Sequence, residues 1–287
     1  MLRSELDSLT PTRDFSRRDF VQTTVGTGFA AAVLPVTAQT ITTDTAGLTA
    51  GAVTIPVGDF KMPAYRAQPA GKSGLPVILV VSEIFGVHEH IADVARRFAK
   101  LGYLAIAPEL FVRQGDAKAY TDIPRLVAEI VNKASDAQVM GDLEAAVAWA
   151  KANGGDTSKL GVTGFCWGGR TTWMYAAHNP GVKAGVAWYG PVARAYHAGD
   201  KTALEVAPQI KAAMLGLYGG ADPGIPNDTV EKMRDAVKAA GNSKVEVVVY
   251  PDTPHAFHAD YRPSYRKEQA EDGWKRCTAW FKANGVA

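Results

Sequence analysis

The chain has only two cysteines, Cys166 and Cys277, among 287 residues, so a disulfide framework is excluded and one bridge is the most it can form. Both have a reading without a bridge: Cys277 falls in a helical pattern as a small buried apolar residue, and Cys166 has a chemical role argued below. Charge of one sign is also missing, since 31 basic against 29 acidic residues leave a net charge of +2. That is too little for the footprint of a nucleic-acid binder or of a protein held on an anionic membrane. There is no Gly-x-Gly-x-x-Gly, no phosphate loop and no Cys-x-x-Cys, so no cofactor is implied. No internal repeat is visible, and no Pro/Gly/Ser-rich linker divides the chain after residue 50. What is present, 47% hydrophobic and 21% charged residues, suffices for a sizeable core in one domain over residues 51–287.

Residues 1–38 read as an address. Ser16-Arg17-Arg18-Asp19-Phe20-Val21 resembles the twin-arginine export motif, a mildly apolar run follows from Val21 to Val36, and Val36-Thr37-Ala38 fits a small-residue cleavage site. The run is too short and too weakly hydrophobic for a membrane span. The expectation is a bacterial chain carried to the periplasm by the twin-arginine machinery, with Thr/Ala-rich residues 39–50 as a mobile linker.

Beyond the linker, the alternation from Val53 to Ala67 around Pro56, Gly58 and Pro63 predicts an antiparallel hairpin at a sheet edge. Pro76 to Val81 is a continuous apolar run, as expected of a strand buried on both faces. Helical spacing over 91–101, 124–132, 141–152, 169–177, 230–240 and 265–283 then alternates with strand patterns at 103–107, 160–165, 182–189, 212–218 and 244–250. Strands separated by helices imply an α/β fold with a mainly parallel central sheet covered on both faces.

The chain is organised around Leu160-Gly161-Val162-Thr163-Gly164-Phe165-Cys166-Trp167-Gly168-Gly169, a strand, a Gly-x-Cys-x-Gly turn and a helix. This is the nucleophile-elbow pattern with cysteine in place of serine. Glycines two residues to either side relieve crowding around a strained nucleophile, and the helix N-terminus favours thiolate. A cysteine so placed needs a base and the base an orienting acid, both in loops after strand carboxyl ends. Asp222 follows the strand ending at Tyr218 and His255 the strand ending at Tyr250, giving the order nucleophile, acid, base. Singly, Asp222-Pro223-Gly224 reads as a turn and His255 as a loop histidine; together and in this order they read as catalytic. Asp252 and Asp260 are weaker candidates for the acid. His88-Glu89-His90 carries a His-x-His pair without an evident third ligand, so a helix start or pocket rim is expected there and no metal.

From about Ala52 to Phe281 the chain resembles the dienelactone hydrolase family, the cysteine branch of the α/β-hydrolases. Glu83-Ile84-Phe85-Gly86, Gly164-Phe165-Cys166-Trp167-Gly168-Gly169 and Thr253-Pro254-His255-Ala256-Phe257 carry the likeness, and Ala107-Pro108-Glu109-Leu110-Phe111 fits with Glu where Asp is more usual. The resemblance implies an α/β-hydrolase fold and hydrolysis of esters or lactones, the carboxymethylenebutenolidase class. It gives Cys166 the attack, His255 the acid–base steps, Asp222 the orientation of the imidazole, and the backbone N–H groups of Trp167 and Ile84 the oxyanion hole. It also implies that Glu83, with its proton affinity raised by burial, takes the thiol proton when substrate binds, so that Cys166 rests as a protonated thiol. Arg113 matches a family carboxylate-binding arginine. The second such arginine and a serine beside the histidine are replaced by Ala259 and Ala256, with His258 between them, so the likeness supports the ester or lactone class better than dienelactone itself. Arg125, Arg170, Arg262 and His258 are the remaining candidates for substrate contact. The rival readings are acyl transfer or thioesterase chemistry on the same elbow, and a non-catalytic binding protein on a hydrolase scaffold.

Overall fold

The computed structural model describes residues 40–287, so the export motif, the apolar run and the cleavage site lie outside the described residues. Eight strands form one sheet in the order β1-β2-β4-β3-β5-β6-β7-β8. β1 (Leu48–Val57) and β2 (Phe60–Pro69) make the edge hairpin, with Leu48 opposite Pro69 and Val57 opposite Phe60. β2 pairs antiparallel with β4 (Leu104–Pro108). The remaining pairs are parallel: β3 (Leu75–Val81) with β4 and with β5 (Gly155–Phe165), then β6 (Val182–Trp188), β7 (Ala213–Gly219) and β8 (Val245–Tyr250) in turn. This is the arrangement expected of strands alternating with helices.

Helices cover the sheet. α1 (Glu89–Lys100) packs on β2 and β4, and α7 (Lys267–Ala283) on β6 and β7. They meet where the Phe98 ring lies 4.7 Å from Trp274 and 5.9 Å from Phe281. α3 (Asp136–Ala152), α4 (Trp167–His178) and α6 (Asn227–Ala239) cover β1 and β5, β5 and β6, and β8, with the short α2 (Ile123–Glu129) and α5 (Ala203–Val206) in connections. Val77 to Val81 of β3 have no solvent exposure, which explains their unbroken apolar run. Each such side chain stabilises the fold by about 1.5–3 kcal/mol relative to exposure.

Two boundaries move for identifiable reasons. α3 begins five residues ahead of Gly141 because Ser135 Oγ accepts the Gln138 N–H at 3.3 Å and so caps an earlier turn. The segment expected as a mobile linker is fixed instead. Ile41 N–H donates to Asp260 at 3.3 Å, Thr43 N–H donates to Asp93 at 2.5 Å, the Thr43 carbonyl accepts from Arg96 Nε at 2.8 Å, and β1 already starts at Leu48. The carboxylates of Asp93 and Asp260 are buried and need donors, which this strap helps to supply.

Candidate active site

The turn between β5 and α4 brings Cys166 to the carboxyl end of the sheet. Its backbone has φ 55° and ψ −118°, a conformation that costs a non-glycine residue about 1–3 kcal/mol. The surroundings hold it there: Cys166 N–H donates to the Trp188 carbonyl at 3.0 Å, and the Cys166 carbonyl accepts from Gly169 and Arg170 at 2.8 and 3.1 Å. The flanking glycines are needed for space. A Cβ on Gly164 would stand 2.1 Å from the Gly168 carbonyl oxygen, and one on Gly168 would stand 2.3 Å from that of Val81. Cys166 and Cys277 are both free, and the Cys166 side chain makes no capping bond to α4.

Asp222 and His255 arrive on the loops after β7 and β8. Ala221 N–H donates to the Thr253 carbonyl at 3.0 Å, which ties the two loops together. His255 Nδ1 lies 2.5 Å from Asp222 Oδ2, and because a carboxylate only accepts, Nδ1 carries the proton. Nε2 is buried and has no aligned hydrogen-bond partner among the described residues. Burial alone would lower the His255 proton affinity. The opposing pull of Asp222 and Cys166 wins and raises it to about 10.

Glu83 follows β3, and its loop is braced by Glu109, which accepts Val87 N–H at 3.0 Å and pairs with Lys118 at 2.6 Å. Glu83 itself is buried; its Oε2 accepts from His88 Nε2 at 3.0 Å and from the Tyr261 hydroxyl at 2.9 Å. The expected raised proton affinity is not found. Burial does push it up, but the hydrogen bond from His88 and nearby positive charge, that of Arg262 included, outweigh burial and hold the carboxyl at about 2. Burial also lowers His88, against the pull of Glu83, so the pair is best described as a neutral imidazole donating to a carboxylate.

The arginines separate clearly. Arg113 holds both oxygens of buried Asp142, at 2.5 and 2.7 Å, and lies 4.1 Å above the Phe60 ring. Arg125 is two-thirds exposed and pairs with Glu129. Arg170 is buried, holds Asp136 with two bonds of 2.7 Å, and donates to the carbonyls of Arg194 and Lys201. These three guanidinium groups are occupied by the protein rather than turned to a substrate, a correction to their reading as substrate contacts. Arg262 is the arginine brought to the site: it is buried, lies 5.6 Å from the Phe85 ring centre, and its charge acts on Glu83, His88, Tyr189 and Tyr261. His258 is also relocated, into the core beside β5, 5.1 Å from the Phe165 ring and 4.5 Å from that of Trp188, where burial first, then the charges of His90 and Arg97, keep it neutral.

Two site residues carry no sequence signal of their own. Tyr189, at φ 38°, packs edge to face with His255, their ring centres 5.0 Å apart, and its buried hydroxyl has no partner among the described residues. Tyr261 reaches Glu83 from the loop that carries His255. His90 Nδ1 donates to Asp260 at 3.1 Å, and among the described residues no group of three or more His, Cys, Asp or Glu is placed to hold a metal ion.

A strained turn at the end of the fifth strand of a mainly parallel sheet, with an Asp–His pair on the loops after the seventh and eighth strands, defines an α/β-hydrolase fold. The sequence profile of the Dienelactone hydrolase family matches residues 62–285. A Methylorubrum extorquens protein provisionally named carboxymethylenebutenolidase is 58% identical across 99% of this chain and 98% of its own. An Escherichia coli K12 protein of the same provisional name is 51% identical across 92% and 97%. A Klebsiella pneumoniae crystal structure, provisionally described as a dienelactone hydrolase, has a TM-score of 0.79 and 54% identity over 82% of this chain and 98% of that one. The chain belongs to the dienelactone hydrolase family and is a hydrolase.

Proposed function

We propose that this chain hydrolyses carboxylic esters or lactones with Cys166 as nucleophile, His255 as acid and base, and Asp222 as the group that orients the imidazole. The observation that carries the reading is His255 itself, with Nδ1 fixed on Asp222 at 2.5 Å and Nε2 left without an aligned partner while Cys166 acts on its proton affinity. Cys166 Sγ attacks the carbonyl carbon, and the N–H groups of Trp167 and Ile84 receive the oxyanion. Trp167 opens α4, where first-turn N–H groups lack helical acceptors. The ester C–O bond breaks as His255 gives its proton to the leaving oxygen. Water, deprotonated by His255, then attacks the thioester, and the C–S bond breaks to release the acid.

Glu83 departs from the role the family likeness implies. Glu83 is held ionised by the His88 hydrogen bond and the Arg262 charge, so the thiol proton is assigned to His255, whose proton affinity Asp222 and Cys166 raise. Arg262, buried near Glu83, is the arginine assigned to an anionic group on the acyl side. The test is hydrolysis of p-nitrophenyl acetate and a panel of lactones by Cys166→Ala, alongside intact-mass detection of an acylated wild-type chain. Loss of turnover and of the acyl adduct is expected; a Cys166→Ala protein that keeps full activity sinks the assignment.

A further inference from the structure

We propose that His88 and Tyr261 are positioning residues of the active site, which clamp Glu83 through Oε2 and leave Oε1 as its one open oxygen. The inference rests on the reading that Cys166 and His255 carry the reaction. Both donors meet the same atom, His88 Nε2 at 3.0 Å and the Tyr261 hydroxyl at 2.9 Å, while Oε1 is buried without a hydrogen-bond partner. The donors brace each other, with the Tyr261 ring edge-on to His88 at 5.0 Å and tilted against His90 at 5.2 Å. They come from different segments: His88 caps α1 directly after the Glu83 loop, and Tyr261 lies six residues beyond His255. The clamp therefore joins the loop that carries the carboxylate to the loop that carries the base.

A fully buried carboxyl is driven toward its neutral form, and two donors on one oxygen reverse that preference while fixing the rotamer. The titratable and charged groups around Glu83 are His88 and His90 from the start of α1, Tyr261 and Arg262 from the His255 loop, Tyr189 from the end of β6, and Cys166 at the elbow. Among them, His88 and Tyr261 donate hydrogen bonds to Glu83. Weakening either should let burial lift Glu83 into the working pH range, adding a second ionisation on the acid side of catalysis.

The test compares His88→Leu, His88→Gln and Tyr261→Phe with wild type. Glutamine keeps an N–H that can reach Oε2, leucine has none, and Tyr261→Phe removes only the hydroxyl. For His88→Leu and Tyr261→Phe, an acid limb absent from wild type is expected, with kcat/KM falling about tenfold for each pH unit below the new Glu83 ionisation and less than threefold near pH 9. His88→Gln should stay within about threefold throughout. A loss equal at all pH values, or none, overturns the clamp. Infrared titration of the Glu83 carboxylate, assigned against Glu83→Gln, gives a readout independent of turnover. It should move up in pH in His88→Leu, and an unmoved titration overturns the clamp even if Cys166→Ala has separately refuted the triad.

Discussion

Asp222 serves the fold with one oxygen and His255 with the other. Oδ1 accepts Gly224 N–H at 2.9 Å and closes the Asp-Pro-Gly turn, while Oδ2 holds His255 Nδ1 at 2.5 Å. The turn contact and the histidine contact of this residue are both present in the structure, on different atoms. The turn contact by itself restricts the carboxylate, so less side-chain freedom is lost in making the bond to His255.

Asp222→Asn separates these roles. The Asn carbonyl can keep the Gly224 contact, but its NH2 group would face Nδ1 and favour the wrong imidazole tautomer. A fall in kcat of about 10³–10⁴-fold is expected with little loss of thermal stability. A kcat within tenfold of wild type would show that Asp222 is only a turn residue.

The raised proton affinity of His255 also predicts how stability changes with pH. Its folded value, about 10, exceeds that of an unfolded histidine, about 6.5, so its contribution is fully present below about pH 6.5 and is lost as pH rises through about 10. Urea unfolding of wild type should therefore weaken across that window more steeply than unfolding of Asp222→Asn or Cys166→Ala, each of which removes one attraction. Parallel curves for the three proteins would mean that the imidazole is not charged by these partners.

Arg113 and Arg125 should behave differently from each other. Arg113→Gln strips both bonds from a buried carboxylate on α3 and is expected to cost about 3–5 kcal/mol of stability, measured by chemical denaturation. Arg125→Gln removes an exposed pair, expected to be worth no more than about 1 kcal/mol. Neither should raise KM for a carboxylate-bearing ester relative to its neutral analogue, whereas Arg262→Gln should. An Arg113→Gln protein with native stability and a selective rise in KM would return Arg113 to substrate binding.

The sequence made legible what depends on local pattern. The Gly-x-Cys-x-Gly turn carries its own steric reason, since the glycines at 164 and 168 admit no Cβ. The order Cys166, Asp222, His255 follows from each lying one loop beyond a recognisable strand. Partners brought together by packing were not legible. Arg113 meets Asp142 and Glu83 meets Tyr261 across 29 and 178 residues, and no periodicity encodes such pairs. The proton affinity of Glu83 was misjudged for the same reason, because burial was foreseeable and the two donors were not. The strap from Thr40 reads as a flexible polar stretch until the buried Asp93 and Asp260 are seen to need its N–H groups.

That strap bears on the proposed export. The segment before it carries Arg17 and Arg18 in a twin-arginine pattern. A folded domain anchored from Thr40 onward would leave residues 1–38 as the part the export machinery reads. Replacing Arg17 and Arg18 together with lysine in the full chain keeps the charge and removes the paired guanidinium groups. In a bacterial host, cell fractionation should find the wild-type chain in the periplasm and the double variant retained in the cytoplasm with unchanged esterase activity. Equal periplasmic amounts of the two proteins would refute the address, and equal cytoplasmic amounts would do the same.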